Sequence, residues 1–579
     1  MNEKTSNLPD PKKIEHELNE FLKKKFKGNV KILSQDQLPK KAPGTKKNKI
    51  KIKKIIDFNL KPKDLISYLD QYIVQQQKAK SILATKICTH FNKIKYTEKN
   101  KDNPATITGS IKSNILMMGP TGVGKTYLIK LIAKKIGVPF VKADATKFSE
   151  TGYVGGDIED IIRDLVKNAD DDIKLAEYGI VYIDEIDKIA SSQNFKGADV
   201  SRTGVQRALL KPMEETQIDL KVPHDPVSMM QELDSFQKTG KRNKKTVNTG
   251  NILFIVSGAF SGLEDIISKR ITKQSIGFGS TIVKPKNKTE LLNNVKTEDL
   301  IKFGFESEFI GRLPIRCMFN ELSSKDLYSI LKIPNNPLIL GKRLDFAAYE
   351  IDVVFTKDAL KLLAEKAFKE NTGARGLVSV IEDAMIIFEE KLPSMSTSKL
   401  TVTKDIINNP ELEFTNIVLA KNLEKTNLLH KKEKKAVKDY ITEYITCNLE
   451  NLPIKNKSTL SREKTNLISE YYNSHITELE NAIKKIESYY EIVKKIEVDF
   501  FNTHGINIFF EEDGVNFLIK ELIKNDITFK DIKEKIHNDF YDGLHLIQEK
   551  TEKNRFFISR KGLKDHKTFL EDLIKKELP

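Results

Sequence analysis

The most informative part of the sequence is Gly119-Pro-Thr-Gly-Val-Gly-Lys-Thr126. It follows the apolar run Ile115–Met118, which has the length of a buried strand, and precedes a segment with apolar residues at helical spacing. Glycines in such a turn allow several backbone N–H groups to point at one anion, and the start of the following helix adds a favourable field. The strand, loop and helix together predict a phosphate-binding loop, or P-loop.

Each position of this loop is a predicted nucleotide contact: Gly119, Pro120, Thr121, Gly122, Val123, Gly124, Lys125 and Thr126. The Lys125 ammonium is expected to neutralise the β- and γ-phosphates, and the Thr126 hydroxyl to ligate Mg²⁺. The motif therefore predicts ATP and Mg²⁺ as cofactors.

A second motif lies downstream, where the run Gly179-Ile-Val-Tyr-Ile ends in Asp184 and Glu185. Asp184 is expected to hold Mg²⁺ together with Thr126, since carboxylate and hydroxyl oxygens are the ligands that this ion prefers. Glu185 is expected to orient and polarise the attacking water. With the P-loop, this pair predicts a nucleoside triphosphatase.

Composition limits the rest of the molecule. The chain has 579 residues, of which 39% are hydrophobic and 31% are charged, so it is long enough for several domains and too apolar to be disordered. We predict four regions, namely a basic N-terminal segment (1–60), a large α/β nucleotide-binding domain with a parallel sheet (61–320), a smaller helical domain (321–415) and a helical C-terminal extension (416–579).

Charge and cysteine usage exclude other classes. Residues 1–60 hold sixteen lysines against seven acidic residues, which accounts for nine of the sixteen net positive charges, so the basic excess predicts a solvated tail more than a nucleic-acid surface. Three cysteines and nine histidines, widely spaced, do not predict a zinc module or a disulfide framework. With no membrane-length apolar run and no secretory leader pattern, we expect a cytoplasmic protein.

Residues from about 65 to 392 resemble the AAA+ module of ClpX and its relative HslU, the unfoldase subunits of ATP-dependent proteases. The resemblance implies that Tyr72 and Ile73 contact the nucleotide base, although Gln75 stands where the family has glycine. It also implies that Arg312 is an arginine finger acting on the neighbouring subunit and that Arg375 is an arginine sensor in its own subunit. Ser257 is implied as a polar sensor at a strand end, and Tyr153 with Val154 as the pore loop that grips substrate.

The tripeptide Ile276-Gly277-Phe278 resembles the ClpX loop that docks on the ClpP peptidase. The implied assembly is a homo-hexamer that takes tagged or unfolded proteins as substrates and passes them to a ClpP-like peptidase. The chain shows no peptidase motif of its own, and residues 1–60 contain no cysteine for the zinc domain of ClpX. Two alternatives stay open, a stand-alone remodelling chaperone and a nucleic-acid-acting AAA+ motor.

The C-terminal extension contains a faint internal repeat. Residues 351–363 and 506–518 share the pattern of a short apolar strand followed by a helix with Asp near its start, which predicts a second unit like the small domain or a chance likeness of two strand–helix segments. Between them, apolar residues from Tyr472 to Val493 follow a four-three spacing. This seam predicts a helical hairpin packed on its own domain, with an intermolecular coiled coil as the alternative.

Overall fold

A computed structural model describes residues 58–99, 112–148, 157–190, 200–220, 245–274, 291–395, 397–419, 423–450, 452, 454, 461–524 and 528–577. Within these residues the P-loop strand belongs to a five-stranded sheet in the order β2-β3-β6-β1-β7, with every neighbouring pair parallel. The strands are β1 (Ile115–Met118), β2 (Phe140–Asp144), β3 (Ile180–Asp184), β6 (Leu253–Gly258) and β7 (Ile315–Met318). The parallel α/β sheet predicted for the large domain is confirmed.

Helices cover this sheet: α1 (Pro62–Asp70), α2 (Gln77–Lys99), α3 (Lys125–Ile136), α4 (Glu159–Asn168), α5 (Ile173–Ala176), α6 (Val200–Met213), α7 (Leu263–Gln274), α8 (Thr297–Phe303) and α9 (Ser307–Gly311). A small antiparallel pair, β4 (Gln217–Asp219) and β5 (Thr246–Asn248), lies beside them. All residues of β1 and β6 are buried, because a parallel sheet with helices on both faces has no wet side.

The smaller helical region follows as α10 (Ser324–Lys332), α11 (Pro337–Ala347), β8 (Asp352–Phe355), α12 (Lys357–Lys369), α13 (Arg375–Lys391), β9 (Lys399–Val402), α14 (Lys404–Asn408) and α15 (Pro410–Leu419). We call these elements the first helical unit. Local sequence sets its boundaries, since Ser323 and Asp326 form a capping box at α10 and Asn336 caps α11 just before Pro337. Strands β8 and β9 pair in parallel.

The C-terminal extension is mainly helical, as predicted. It begins with a long helix, α16 (Leu423–Cys447), and continues as α17 (Arg462–Ser474), α18 (Leu479–His504), β10 (Asn507–Phe510), α19 (Glu512–Lys524), α20 (Phe529–Thr551), β11 (Arg555–Ile558), α21 (Arg560–Lys564) and α22 (His566–Glu577). Elements α17 to α22, the second helical unit, have the same order as α10 to α15, and β10 and β11 again pair in parallel.

The predicted seam from Tyr472 to Val493 is divided between two helices, because residues 475–478 separate α17 from α18. Tyr472, Ile483, Ile486 and Val493 are all buried in the core of the second helical unit. In the part of the chain that the structure describes, none of the helices combines the length and apolar character needed to cross a membrane.

Candidate active site

The P-loop adopts a conformation that requires glycine. Gly122 and Gly124 have φ of 72° and 92°, in the left-handed region that side chains disfavour, and α3 starts directly after Gly124. Space is limiting as well, since a Cβ on Gly122 would lie 2.1 Å from the carbonyl oxygen of Thr372. The loop thus leads into the start of α3 as anion binding requires.

Lys125, the first residue of α3, has its ammonium directed into the loop. Its Nζ donates to the carbonyl oxygens of Gly119 at 2.5 Å and Pro120 at 2.8 Å. Burial lowers the pKa of Lys125 to about 8, and the nearby negative charge of Asp184 only partly opposes this effect. A buried ammonium close to its pKa is well suited to an anionic ligand, which would restore the lost favourable interactions.

Thr126 and Asp184 meet across the site. The Thr126 hydroxyl donates to Asp184 Oδ2 at 3.2 Å, while Ser257 donates to Asp184 Oδ1 at 2.6 Å. Burial opposes ionisation of Asp184, but the hydrogen bonds from Ser257 and from Lys142 outweigh it, and the pKa of this carboxyl is lowered. The site therefore offers an ionised carboxylate beside a hydroxyl, a donor set that fits Mg²⁺.

Ser257 does not line the cavity. It is fully buried and lies between Asp184 and the hydroxyl of Tyr182, which is 2.6 Å from Ser257 Oγ and 3.0 Å from Thr126 Oγ1. Sequence reasoning missed Tyr182 and Lys142. Tyr182 could have been found, because it precedes Asp184 by two residues on a strand and so faces the same side.

Glu185 lines the cavity with a strained backbone, since its φ of 56° is left-handed and the residue is not glycine. The turn around it is held by Asp187, whose carboxylate accepts from the backbone N–H groups of Ala259 at 3.2 Å and Phe260 at 3.3 Å. These bonds tie the ends of β3 and β6 together and fix the direction in which Glu185 leaves the sheet.

The cavity has a volume of about 460 Å³ and three walls. Tyr72 and Ile73 form one, the P-loop with Asp184 and Glu185 the second, and Arg375 with Asn336 of the first helical unit the third. All the P-loop residues from Thr121 to Thr126 line it, and so do the predicted Tyr72, Ile73 and Arg375. The structure thus brings together residues that lie about 300 positions apart in the chain.

The departure at Gln75 has a structural explanation. Gln75 and Gln76 have φ of 59° and 61°, a conformation that glycine would adopt more easily. The Gln76 side chain compensates by donating to the backbone oxygen of Asn320 and accepting from its N–H, both at 2.8 Å. This amide pair keeps the segment that carries Tyr72 and Ile73 in place beside the cavity.

The first helical unit touches the P-loop directly. The Ala374 N–H donates to the Gly122 carbonyl oxygen at 2.8 Å, and Gly373 has φ of 64°. A Cβ on Gly373 would lie 2.9 Å from the carbonyl oxygens of Thr121 and Gly122, so glycine is needed at this approach of two backbones. Arg375 begins α13 immediately afterwards and is thereby directed to the cavity.

Arg312 lies apart from this cavity. Its guanidinium pairs with Glu214 at 2.6 Å and is half exposed, and its carbonyl oxygen accepts from the Asn114 side chain at 3.1 Å. Tyr153, Val154, Ile276, Gly277 and Phe278 lie outside the described residues. Among the residues that are described, no cluster of three or more His, Cys, Asp or Glu side chains could hold a metal ion.

Comparisons with known proteins agree with this architecture. The family described as "AAA domain (Cdc48 subfamily)" matches residues 110–316, and the family described as "C-terminal, D2-small domain, of ClpB protein" matches residues 322–387. A protein of Treponema denticola, named ATP-dependent Clp protease ATP-binding subunit ClpX, is 42% identical over 353 residues, which are 60% of this chain and 81% of that protein. Proteins of the same name from Borrelia duttonii and Borrelia recurrentis are also 42% identical, each over 357 residues covering 61% of this chain and 79% of the relative.

The parallel sheet, the P-loop and the helical unit that closes the cavity define a member of the AAA+ class of P-loop ATPases. Within this class the level of identity and the coverage are decisive. The chain belongs to the ClpX family of ATP-binding subunits of Clp protease. Neither of these two family matches extends beyond residue 387 of the chain.

Proposed function

We propose that this chain is an ATP-dependent protein unfoldase that assembles into a homo-hexameric ring and threads substrates through a central pore into a ClpP-like peptidase. The observation that carries the proposal is the single cavity lined by the P-loop, Glu185 and Arg375. A catalytic carboxylate, a phosphate loop and a basic residue from a separate unit meet there. Such a site can hydrolyse ATP and transmit the change to the helical unit.

In this proposal the site residues divide the work of hydrolysis. The P-loop amides and Lys125 bind the phosphates, while Tyr72 and Ile73 contact the base. Thr126 and Asp184 hold Mg²⁺, which neutralises charge on the transferred phosphoryl group when bound. Glu185 orients the attacking water, and the bonds from Ala259 and Phe260 to Asp187 support that role by holding the turn that carries it. Ser257 keeps Asp184 ionised and oriented.

Ring formation supplies the role of Arg312. Its guanidinium is half exposed and does not line the cavity of its own chain, as expected for a group that reaches a neighbour's γ-phosphate. The ion pair with Glu214 keeps it on the surface until a neighbour docks. Hydrolysis in one subunit would then depend on the next subunit.

The bond between Ala374 and Gly122 supports coupling between ATP and motion. A P-loop that tightens around phosphate would pull on a backbone hydrogen bond to the first helical unit, and Arg375 would follow the γ-phosphate. Rotation of this unit would move the pore loop at Tyr153 and Val154, whose apolar grip needs no particular substrate sequence. We also propose the division into regions 1–60, 61–320, 321–415 and 416–579, with the last bracing the first helical unit.

The bracing contacts lie behind the cavity wall. The Tyr472 hydroxyl donates to the Pro334 carbonyl oxygen at 2.8 Å, and the Leu479 N–H donates to Asn335 Oδ1 at 2.8 Å. The next residue, Asn336, lines the cavity. The second helical unit thus supports the loop between α10 and α11, which forms part of the cavity wall.

The unfolding activity can be measured with a stable fluorescent protein that carries an unstructured tail. The wild-type chain should abolish the fluorescence only with ATP, and Glu185→Gln should bind ATP but lose both hydrolysis and unfolding. Tyr153→Ala should keep most of the ATPase activity and lose unfolding, because the loop tip contacts substrate and not phosphate. Tyr349→Ala, at an exposed tyrosine of the first helical unit, is the matched control. Equal loss of hydrolysis and unfolding in Tyr153→Ala would contradict the pore assignment.

The peptidase partner needs its own test. A purified ClpP-type peptidase should degrade the unfolded fluorescent protein in the presence of the wild-type chain, and Phe278→Ala should stop degradation while leaving unfolding intact. Phe368→Ala, at an exposed phenylalanine of α12, should behave like wild type. If the wild-type chain unfolds the substrate but never supports degradation, a stand-alone remodelling chaperone is the better description.

A further inference from the structure

The two helical units contain equivalent two-stranded sheets whose outward faces differ. In the first unit Val354 of β8 pairs with Thr401 of β9, and in the second unit Phe509 of β10 pairs with Phe557 of β11. Both pairs occupy the third position of their strands. Since side chains alternate along a strand, each pair faces away from the core of its unit.

The outward face of the first sheet is covered by α16. The His430 ring contacts the Thr401 hydroxyl through Nδ1 and the Asp352 carboxylate through Nε2, both at 3.2 Å. Lys434, one turn further on, forms an ion pair with the same carboxylate. Val354 is only 6% exposed under this helix.

The covering helix is amphipathic. Val437 and Ile441 continue the side of α16 that begins with His430 and Lys434, at spacings of three and four residues. Val437 and Ile441 line a cavity of about 100 Å³ together with Val354 of the sheet. The first unit therefore shows what this sheet face accepts, namely a helix with an apolar stripe and a charged residue beside it.

The same face of the second sheet is exposed. Phe557 is 61% exposed and Phe509 is 38% exposed, and their rings stack with centroids 5.6 Å apart. Their strand neighbours Ile508 and Phe556 are buried in the core. Two stacked aromatic side chains on the surface form the kind of apolar anchor that protein interfaces use.

The charge at the edge of the face differs between the units. In the first sheet Asp352 pairs with Lys399, and α16 answers the carboxylate with His430 and Lys434. In the second sheet Asn507 pairs with Arg555, so the acid is missing and a cation remains. A helix that covers this face meets Arg555 without a carboxylate across from it, so an acidic residue near the position of Lys434 is favoured over the lysine.

We propose that the outward face of the β10–β11 sheet is a docking site for an amphipathic helix of a partner protein, with apolar residues against Phe509 and Phe557 and an acidic residue against Arg555. The occupant is inferred from α16, which covers the equivalent face in the same chain. This docking site does not depend on the proposed unfoldase activity. It would give the second helical unit a binding role on a surface away from the nucleotide cavity.

The probe is a helix-stabilised synthetic peptide with the sequence of residues 426–446 in which Lys434 is replaced by Glu. It should bind the full-length wild-type chain about fivefold more tightly than the peptide with the native lysine, because the lysine would face Asn507, which is uncharged, and lie beside the cation of Arg555. Phe557→Thr, which installs the residue of the first unit, should weaken binding about tenfold or more. Phe368→Thr is the matched control at another exposed phenylalanine and should change nothing.

A charge swap sharpens the result, since Arg555→Glu should reverse the preference between the two peptides. Circular dichroism and the ATPase rate should stay at wild-type values in every variant. The proposal would be overturned if neither peptide bound, or if Phe557→Thr left the affinity for the peptide unchanged. The proposal would also be overturned if sedimentation gave a lower mass for Phe557→Thr than for the wild-type chain, because the occupant would then be a second copy of the chain.

Discussion

The two helical units have the same element order but differ at the start of their fifth element, which is α13 in the first unit and α20 in the second. In the first unit Gly373 and Ala374 approach the P-loop, and Arg375 enters the cavity. In the second unit the corresponding helix α20 starts with a capping box of Thr528 and Asp531, an ordinary way to satisfy a helix end. The same order of elements is thus compatible with two different helix starts, and a few residues at the start of α13 make the contact with the P-loop.

The largest effect is expected on ATP hydrolysis, and it should follow a substitution at the start of α13 but not one at the start of α20. Arg375→Ala should lower kcat/KM for ATP hydrolysis by about a hundredfold, because the cation that the first helical unit contributes to the cavity is lost. Lys530→Ala, near the start of α20, is the control and should stay within about twofold of wild type. A comparable loss in both variants would remove the functional difference between the units.

The cavity that the first unit closes should also depend on pH. The pKa of Lys125 is lowered to about 8, so the ammonium is charged below this pH and loses its proton above it. ATP affinity, measured by titration, should therefore fall by up to about tenfold per pH unit above 8. Lys125→Arg should bind more weakly but without this slope, since a guanidinium stays charged. An unchanged slope in that variant would assign the titration to another group.

A smaller effect, on the stability of the fold, is expected at the edge of the β8–β9 sheet. His430 and Lys434 lower the pKa of Asp352 to about 2 against the opposing effect of burial, so the ionised carboxylate stabilises the fold above its ordinary pKa near 4, and this contribution is lost as the pH falls toward 2. Asp352→Asn should cost about 1 kcal/mol at neutral pH, after allowance for solvent exposure.

The measurement for Asp352→Asn is hydrogen exchange of the α16 amides, which should become faster at neutral pH than in wild type. Asn507→Asp, the reciprocal change in the second unit, is the matched control and should leave exchange of α16 unaltered. Faster exchange in both variants would show that the ion pair does not hold the helix.

The smallest effect concerns the contact between the units. Tyr472→Phe removes the hydroxyl that donates to Pro334 and should destabilise the loop between α10 and α11 by about 0.5–1 kcal/mol. We expect a rise of about twofold to threefold in KM for ATP with little change in kcat, because Asn336 lines the cavity two residues later. Tyr349→Phe is the control. An unaltered KM would mean that the second unit does not support the cavity wall.

The sequence predicted which residues line the cavity better than it predicted the contacts around them. Lys125, Thr126, Asp184 and Glu185 belong to short motifs in which local order and spacing carry the signal. The bonds between Gln76 and Asn320 join residues 244 positions apart, and no local pattern indicates such a pairing. The roles of Tyr153 and of Ile276–Phe278 stay predictions.

The repeat was only partly visible for a physical reason. The segments 351–363 and 506–518 each form a strand and a following helix, and this local pattern can be compared residue by residue. The preceding helices conceal the likeness, because α11 has 11 residues and α18 has 26. The covering of the first sheet by α16 depends on contacts between residues 78 and 82 positions apart, which the sequence alone does not reveal.

Rings assembled from two different variants test whether ATP is hydrolysed at sites shared between neighbouring subunits. Arg312→Ala and Glu185→Gln chains should each be inactive alone. Mixed in equal amounts they should recover about a quarter of the wild-type ATPase rate, because one interface in four then joins an intact Glu185 to an intact Arg312. Arg207→Ala, at another exposed arginine in an ion pair, should be active alone. No recovery in rings that demonstrably contain both chains would contradict the account.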